Sequence, residues 1–178
     1  MRFILFSICF ILLVSHPATS QTFEWISKIQ QIVPIISTEK DVEKLYGKPN
    51  KRSAHFAEYE TDYGYLSFEY STGECSHPSY YSVANGVVIG IDISLKKELL
   101  FNKIKIDRSK FIEEHSDDTE NITYRSPILG ITYGTYPKKL ENVHYDKRPK
   151  ILTGISIYPA SKYDYLICPA IEKTTKNL

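Results

Sequence analysis

The sequence predicts an α+β protein made of two units, each a helix packed on an antiparallel sheet, with a disulfide linking the two. Three observations favour this class. Apolar residues with helical spacing are followed by short segments in which apolar and polar residues alternate. The same order recurs more loosely later in the chain, which predicts a tandem repeat of residues 21–98 and 99–168. One cysteine lies in each half, at Cys75 and Cys168.

The composition is that of a globular protein. Of the 178 residues, 42% are hydrophobic and 24% are charged, which excludes collagen-like, coiled-coil and disordered chains. The net charge of +1 gives no basic surface field, so we expect no nucleic-acid partner. The phosphate-binding motifs GxGxxG and GxxxxGK do not occur in the sequence, and we expect no cofactor.

Residues 1–20 have the features of a signal peptide. Arg2 precedes an apolar run over 3–14, and Ala18 and Ser20 occupy the small-residue positions of a cleavage site. The alternative, an uncleaved membrane anchor, would need a longer apolar run to span a bilayer. We therefore expect cleavage after Ser20 and an exported protein, secreted or periplasmic, with no transmembrane segment in the mature chain.

Cleavage would leave two cysteines. Loss of Cys9 with the signal peptide leaves Cys75 and Cys168, and a single pair in an exported protein predicts a disulfide. The CxxC spacing of a redox or metal pair is absent. Closing a loop of roughly ninety residues would stabilise the fold by about 4 kcal/mol in the chain-entropy model.

Local signals place the elements of the first unit in order. Apolar spacing predicts a helix over 23–33, which Pro34 ends. Thr38 and Asp41 form a capping-box pair at the start of a second, short helix, and Gly47 suits its C-terminal end. Strands are expected over 54–61, 65–71 and 87–95. The last strand alternates most clearly and should bury every second residue: Val87, Ile89, Ile91, Ile93 and Leu95.

The second unit is predicted to repeat this order. A helix is expected over 107–118, with Asp107 as its cap and with Phe111 and Ile112 facing inward. Strands should follow over 120–127, 131–137 and 147–159. The polar residues 169–178 are expected to form a flexible tail.

Three spaced segments resemble known families. Residues 37–49 resemble the V-x-x-L-x-G-x-P opening of the small outer-membrane lipoprotein fold (SmpA/OmlA), and the tandem arrangement is similar to that of the β-lactamase inhibitor protein. Together with YSTGEC (70–75) and YPASKYDYLIC (158–168), the segment more closely resembles a family of uncharacterised secreted proteins of soil bacteria. The resemblance implies a fold and export, and it implies no activity.

Catalytic and metal-binding signatures are weak. The histidines of the mature chain do not have the spacing of a helical zinc site, and GxSxG is absent. An acidic run over 113–120 could bind calcium, although it lacks the glycine that calcium loops use, or it could supply an acid and a base. One hypothesis is therefore a hydrolase of envelope or extracellular polymers, with its acid or base among Glu113, Glu114, His115 and Asp117. We expect no metal site.

Tyrosines provide the best candidate binding surface. The chain has 14 of them, and tyrosine gives rigid, amphipathic contact area, although it also packs well within sheets. The best single candidate is the loop 76–86, with His77, Tyr80 and Tyr81. Tyr63 and Tyr65, at a hairpin connection and a strand end, are the further candidates. The leading hypothesis is a secreted, non-enzymatic binding or envelope-associated protein whose partner is an unknown protein or glycan. A carbohydrate-binding module that stacks exposed rings on sugars is a further hypothesis.

Overall fold

The computed structural model describes residues 21–75, 81–116, 120–144 and 147–168. Two α-helices occur there, α1 (Gln21–Ile29) and α2 (Glu39–Tyr46). The same residues form eight strands: β1 (Lys51–Arg52), β2 (Phe56–Glu60), β3 (Gly64–Tyr70), β4 (Val88–Leu100), β5 (Ile112–His115), β6 (Ile122–Ser126), β7 (Ile131–Pro137) and β8 (Lys150–Ile157). The predicted signal peptide and the predicted tail lie outside the described ranges.

All eight strands belong to one antiparallel sheet. Their order is β1-β2-β3-β4-β8-β7-β6-β5, so each half of the chain forms a four-stranded meander, and β4 and β8 join the two meanders. The prediction of an α+β protein made of two helix-plus-sheet units is therefore wrong, because the described residues form mainly one eight-stranded antiparallel sheet with few short helices. The physical reason is direct pairing across the middle, where Ile93 lies opposite Ile155 and Ile91 lies opposite Ile157. Buried side chains of both meanders consequently share one hydrophobic core.

The predicted helix over 107–118 is also wrong. The chain makes a 3₁₀ turn at Arg108–Lys110 and then forms β5. Asp107 accepts hydrogen bonds from the amide and the hydroxyl of Ser109, at 3.2 and 2.7 Å, and this local turn competes with an α-helical start. Phe111 packs against the core as expected, whereas Ile112 is 52% exposed and does not face inward.

The capping prediction for α2 is confirmed. The Asp41 carboxylate accepts hydrogen bonds from the Thr38 amide and hydroxyl, both at 2.8 Å. These bonds hold the pKa of Asp41 below its usual range, with the amide as the larger cause. Gly47 ends the helix with a φ of +81°, a conformation that glycine adopts without strain.

One face of the sheet holds the core. Over the first meander, α1 and α2 supply Trp25, Ile29 and Val42, which pack with strand residues such as Phe68 and Ile91. Over the second meander, the irregular segment 101–111 takes the place of helices. Its Phe101 is 1% exposed and stacks on Tyr124, with ring centroids 4.6 Å apart.

A bulge in β4 shifts the predicted alternation. Ile91 and Ile93 are buried as expected, and Leu95 is half-buried. The register slips between Glu69 and Tyr70 of β3, so that Val88 lies opposite Tyr70 and is completely buried. Strict alternation places Val88 on the opposite face. The extra residue of the bulge reverses the phase of every side chain beyond it, and Val88 therefore points into the core.

The predicted disulfide is confirmed. Cys75 and Cys168 are bonded, with their Cα atoms 5.3 Å apart, and the bond ties the loop between β3 and β4 to the segment that follows β8. Beside it, Tyr81 pairs with Ile167, and the Ser82 amide donates to the Leu166 carbonyl at 2.7 Å. None of the described helices is long and apolar enough to cross a membrane.

Candidate binding face

The sheet face opposite the core, called here the open face, is lined by polar side chains. Cross-strand partners form a row across six neighbouring strands, from β2 to β6: Glu58, Ser67, Asp92, Ser156, Thr132 and Arg125. Because successive side chains of a strand point to opposite faces, this row points away from the helices. Asp92 and Arg125 are exposed, and so are the neighbouring Tyr65 and Ser94.

Four carboxylates towards the rim of the open face are neutralised by cations. The ion pairs are Lys51–Glu58, Lys96–Glu60, Lys138–Glu98 and Arg125–Glu114. Hydrogen bonds from Lys138 and Arg125 hold the pKa of Glu98 and of Glu114, respectively, below the usual range. The rim of the face therefore has both charge signs in balance.

Two carboxylates at the centre of the open face lack such a cation. Within the described ranges, Glu69 and Asp92 form no ion pair with lysine or arginine. The Asp92 carboxylate accepts hydrogen bonds from the Ser156 hydroxyl at 2.6 Å and from the Tyr158 hydroxyl at 3.3 Å. Glu69 has exposed surface, yet desolvation by the surrounding protein raises the pKa of its carboxyl, and the charge of Asp92 raises it further. The charge of His55 lowers the pKa of Glu69, but by less than the other two causes raise it.

Glycines leave part of the open face without side chains. A Cβ atom on Gly90 would lie 3.1 Å from both the Glu69 carboxylate and the Tyr158 ring, so the missing side chain lets these two groups approach each other over β4. Gly134 and Gly154 lie opposite each other on β7 and β8. At these glycines the surface of the open face is formed by backbone atoms, and the side chains around them project further from the sheet.

A hollow and three exposed rings flank this centre. The hollow, of about 410 Å³, reaches from Asp92 and Ser94 towards the β1 edge, and Tyr65 contributes to its lining. The rings of Phe56, Tyr65 and Tyr158 are 39%, 53% and 41% exposed. Concave surfaces that combine aromatic area with a few fixed polar groups are typical of binding sites.

The structure separates the tyrosines that the sequence singled out. Tyr65 lies on the open face, whereas Tyr63 packs on the core side, where its ring stacks on Trp25 at 4.9 Å. Tyr81 is half-buried beside the disulfide, and burial raises the pKa of its hydroxyl. His77 and Tyr80 lie outside the described residues. These side chains therefore do not form one surface in the part of the chain that the structure describes.

The acidic run proposed for a hydrolase is engaged in ion pairs. Glu113 lies 3.3 Å from the Lys150 ammonium and 3.1 Å from the His115 imidazole, and Glu114 pairs with Arg125. Desolvation opposes the shift, but hydrogen bonds from Lys150 and Tyr124 hold the pKa of Glu113 below its usual range. A carboxylate of lowered pKa is a poor proton donor near neutral pH. Asp117 lies outside the described ranges.

Metal chemistry has no support in the geometry of the described residues. They contain no group of three or more histidine, cysteine, aspartate or glutamate side chains that could hold an ion. The central residues Glu69, Asp92, Ser156 and Tyr158 escaped the sequence reasoning. One signal could have found Asp92, because it is the only charged residue in the apolar segment 87–95.

Comparison of the chain with protein-family models, with curated proteins and with solved structures found no match. The resemblance to a family of secreted proteins therefore stays a prediction.

Proposed function

We propose that this protein is an exported, non-enzymatic binding protein that contacts its partner with the open face of its sheet. The observation that carries the proposal is the contrast between the two faces. One face is filled with apolar side chains under α1, α2 and the segment 101–111. The other presents exposed rings, hydroxyls and carboxylates, among them Tyr65, Ser94 and Asp92.

The composition of the open face supports binding. Exposed tyrosine supplies large contact area at low cost in conformational entropy, and the interspersed serine and threonine hydroxyls can exchange hydrogen bonds with a partner. Sheet strands also hold these groups more rigidly than a loop would, so little ordering is needed on association. The disulfide between Cys75 and Cys168 is consistent with the oxidising environment that an exported protein meets.

Site-directed photo-crosslinking tests this proposal. The photoreactive amino acid benzoylphenylalanine replaces Ser94, which is exposed on the open face, or Lys40, which is exposed on α2. Both variants are expressed in the source cells, and non-reducing electrophoresis confirms that each contains the disulfide. We expect irradiation to give a discrete adduct from the Ser94 variant at several-fold higher yield than from the Lys40 variant.

The identity of the adduct separates the two kinds of partner. Mass spectrometry of the adduct distinguishes a protein from a glycan. Equal yields from Ser94 and Lys40, or no adduct from either folded variant, would contradict the proposal that the open face binds a partner.

A further inference from the structure

We infer that the partner is a protein that places a lysine or arginine side chain over Glu69 and Asp92 at the centre of the open face. This inference rests on the proposed function, because it requires the open face to be the contact surface. It adds the chemical class of the partner and the position at which that partner is recognised.

Charge complementarity is the first argument. The rim carboxylates already have lysine or arginine neighbours from this chain, so a partner's cation would gain little there. Glu69 and Asp92 both border Tyr158, whose ring and the Glu69 carboxylate flank Gly90 and whose hydroxyl donates to Asp92. Within the described residues, neither carboxylate has a lysine or arginine counter-ion. The centre is therefore the place where an incoming positive charge meets carboxylates that have no cation of their own among the described residues.

Desolvation is the second argument, and it disfavours a neutral ligand. Any macromolecule that covers the open face removes water from both carboxylates. Without a compensating positive charge, the loss of hydration opposes binding, because buried charges are tolerated only when they are paired. A neutral glycan could donate hydroxyl hydrogen bonds but would leave the two charges uncompensated. A basic side chain supplies both donors and charge.

The neighbouring rings fit the same occupant. Phe56 lies directly opposite Glu69 on the adjacent strand, and the Tyr158 ring approaches Gly90 beside the same carboxylate. Both rings are partly exposed. A guanidinium or ammonium group bound by Glu69 could therefore contact aromatic surface, and arginine in particular combines planar stacking with paired hydrogen bonds to carboxylates.

An NMR titration tests this inference with a defined probe. The protein is expressed from the full chain with ¹⁵N label and purified in its oxidised form. It is titrated with N-acetyl-arginine methylamide and, separately, with the citrulline analogue, which has the same shape but no charge. We expect saturable shifts at the amides of Glu69, Gly90 and Asp92 with the arginine compound, and at least tenfold weaker binding of the citrulline compound.

Matched variants locate the interaction. The double substitution E69Q and D92N removes both central charges, whereas E58Q and E60Q remove two rim charges that already have lysine partners. We expect the central pair of substitutions to weaken binding at least fivefold and the rim pair to change it less than twofold. If the double central variant loses its dispersed spectrum, the single substitution E69Q replaces it, with an expected loss of at least twofold.

Equal binding of the arginine and citrulline compounds, or equal effects of the central and rim substitutions, would overturn the inference. The proposed function is tested separately. A specific adduct from Ser94 together with a failed titration would keep the open face as the binding surface and exclude the basic partner. A glycan adduct from Ser94 would likewise keep the open face as the binding surface and exclude a basic protein partner. Failure of the crosslinking would remove the proposed function itself.

Discussion

At Gly130, the absence of a side chain allows the turn between β6 and β7 to contact the backbone at the end of β8. Its φ is +66°, and a Cβ atom there would lie 2.0 Å from the Tyr158 carbonyl oxygen. The Gly130 carbonyl in turn accepts a hydrogen bond from the Tyr158 amide at 2.7 Å. The turn between β6 and β7 is thus fastened to the end of β8, where Tyr158 enters the open face.

We expect Gly130→Ala to lower the free energy of unfolding by about 2–4 kcal/mol, because the new methyl group must displace backbone. Gly86→Ala is the control. Gly86 has a similar φ of +79° but nothing within 4 Å of the added atom, so only the conformational cost of about 1 kcal/mol applies. Urea unfolding of both variants provides the comparison, and equal losses would contradict the role of the Tyr158 contact.

Asp41 and Glu69 should affect stability in opposite directions as the pH changes. The lowered pKa of Asp41 means that its charge stabilises the fold above its ordinary value of 3.8, and that this stabilisation is lost as the pH falls through the folded-state pKa. The raised pKa of Glu69 has the opposite effect on stability. Its ionisation opposes folding, an effect absent below the ordinary value of 4.5 and complete above the folded-state pKa.

We therefore expect Asp41→Asn to destabilise the protein at neutral pH and Glu69→Gln to stabilise it. Both differences from the wild-type protein should shrink in acid, below the ordinary values of 3.8 and 4.5. Urea unfolding at neutral pH and at about pH 3 measures both effects. A stabilising Asp41→Asn or a destabilising Glu69→Gln at neutral pH would contradict the assigned environments.

Elements with strong local signals were predictable, and elements that depend on distant partners were not. Thr38 and Asp41 lie within one turn of helix, so their reciprocal capping could be predicted from spacing alone. β5 has no such signal. Its residues are exposed, and it is a strand because it pairs with β6, where Ile112 lies opposite Arg125. Asp107 does begin a turn, as the sequence predicts, but this 3₁₀ turn ends at Lys110 and does not continue as an α-helix.

The candidate site was harder to predict than the elements. Tyr65 could be proposed because an aromatic residue after a turn is often exposed. Glu69, Asp92 and Tyr158 come from β3, from β4 and from the end of β8, and they meet only through the pairing of those strands. The bulge near Glu69 adds a shift of register that alternation of residue types does not reveal.

The disulfide joins the loop between β3 and β4 to the segment after β8, and its removal should have a local and a global effect. For the variant Cys75→Ala/Cys168→Ala, the chain-entropy model predicts a loss of about 4 kcal/mol in unfolding free energy. Locally, the Ser82 amide should lose its protection from hydrogen exchange, because its acceptor, the Leu166 carbonyl, is no longer tethered. Exchange measured by NMR tests both effects. Unchanged protection of Ser82 would show that hydrogen bonds alone hold this segment.

At the scale of the whole molecule, the shared core predicts a single unfolding transition. Leu152 on β8 is 2% exposed and belongs to the second meander, whereas Trp25, the only tryptophan, reports on the first. Leu152→Ala should cost about 2–5 kcal/mol. Because the two meanders share one core, Trp25 fluorescence and far-ultraviolet circular dichroism should shift to the same new midpoint of urea unfolding.

Val42→Ala provides the matched variant over the first meander, because Val42 lies on α2 and is completely buried. It should move both signals together in the same way. A tryptophan midpoint that stays unchanged in Leu152→Ala would instead indicate two meanders that unfold independently.

The position of β8 at the end of the chain also determines when the sheet can be completed. β1 to β4 are consecutive in sequence and can pair as soon as they exist, but β4 gains its second neighbour only when β8 follows. Until then, β4 presents an unpaired strand edge next to Ile91 and Ile93. Such edges are targets for mispairing between chains. The interval between the emergence of these two strands is therefore when a newly synthesised chain is most vulnerable to aggregation.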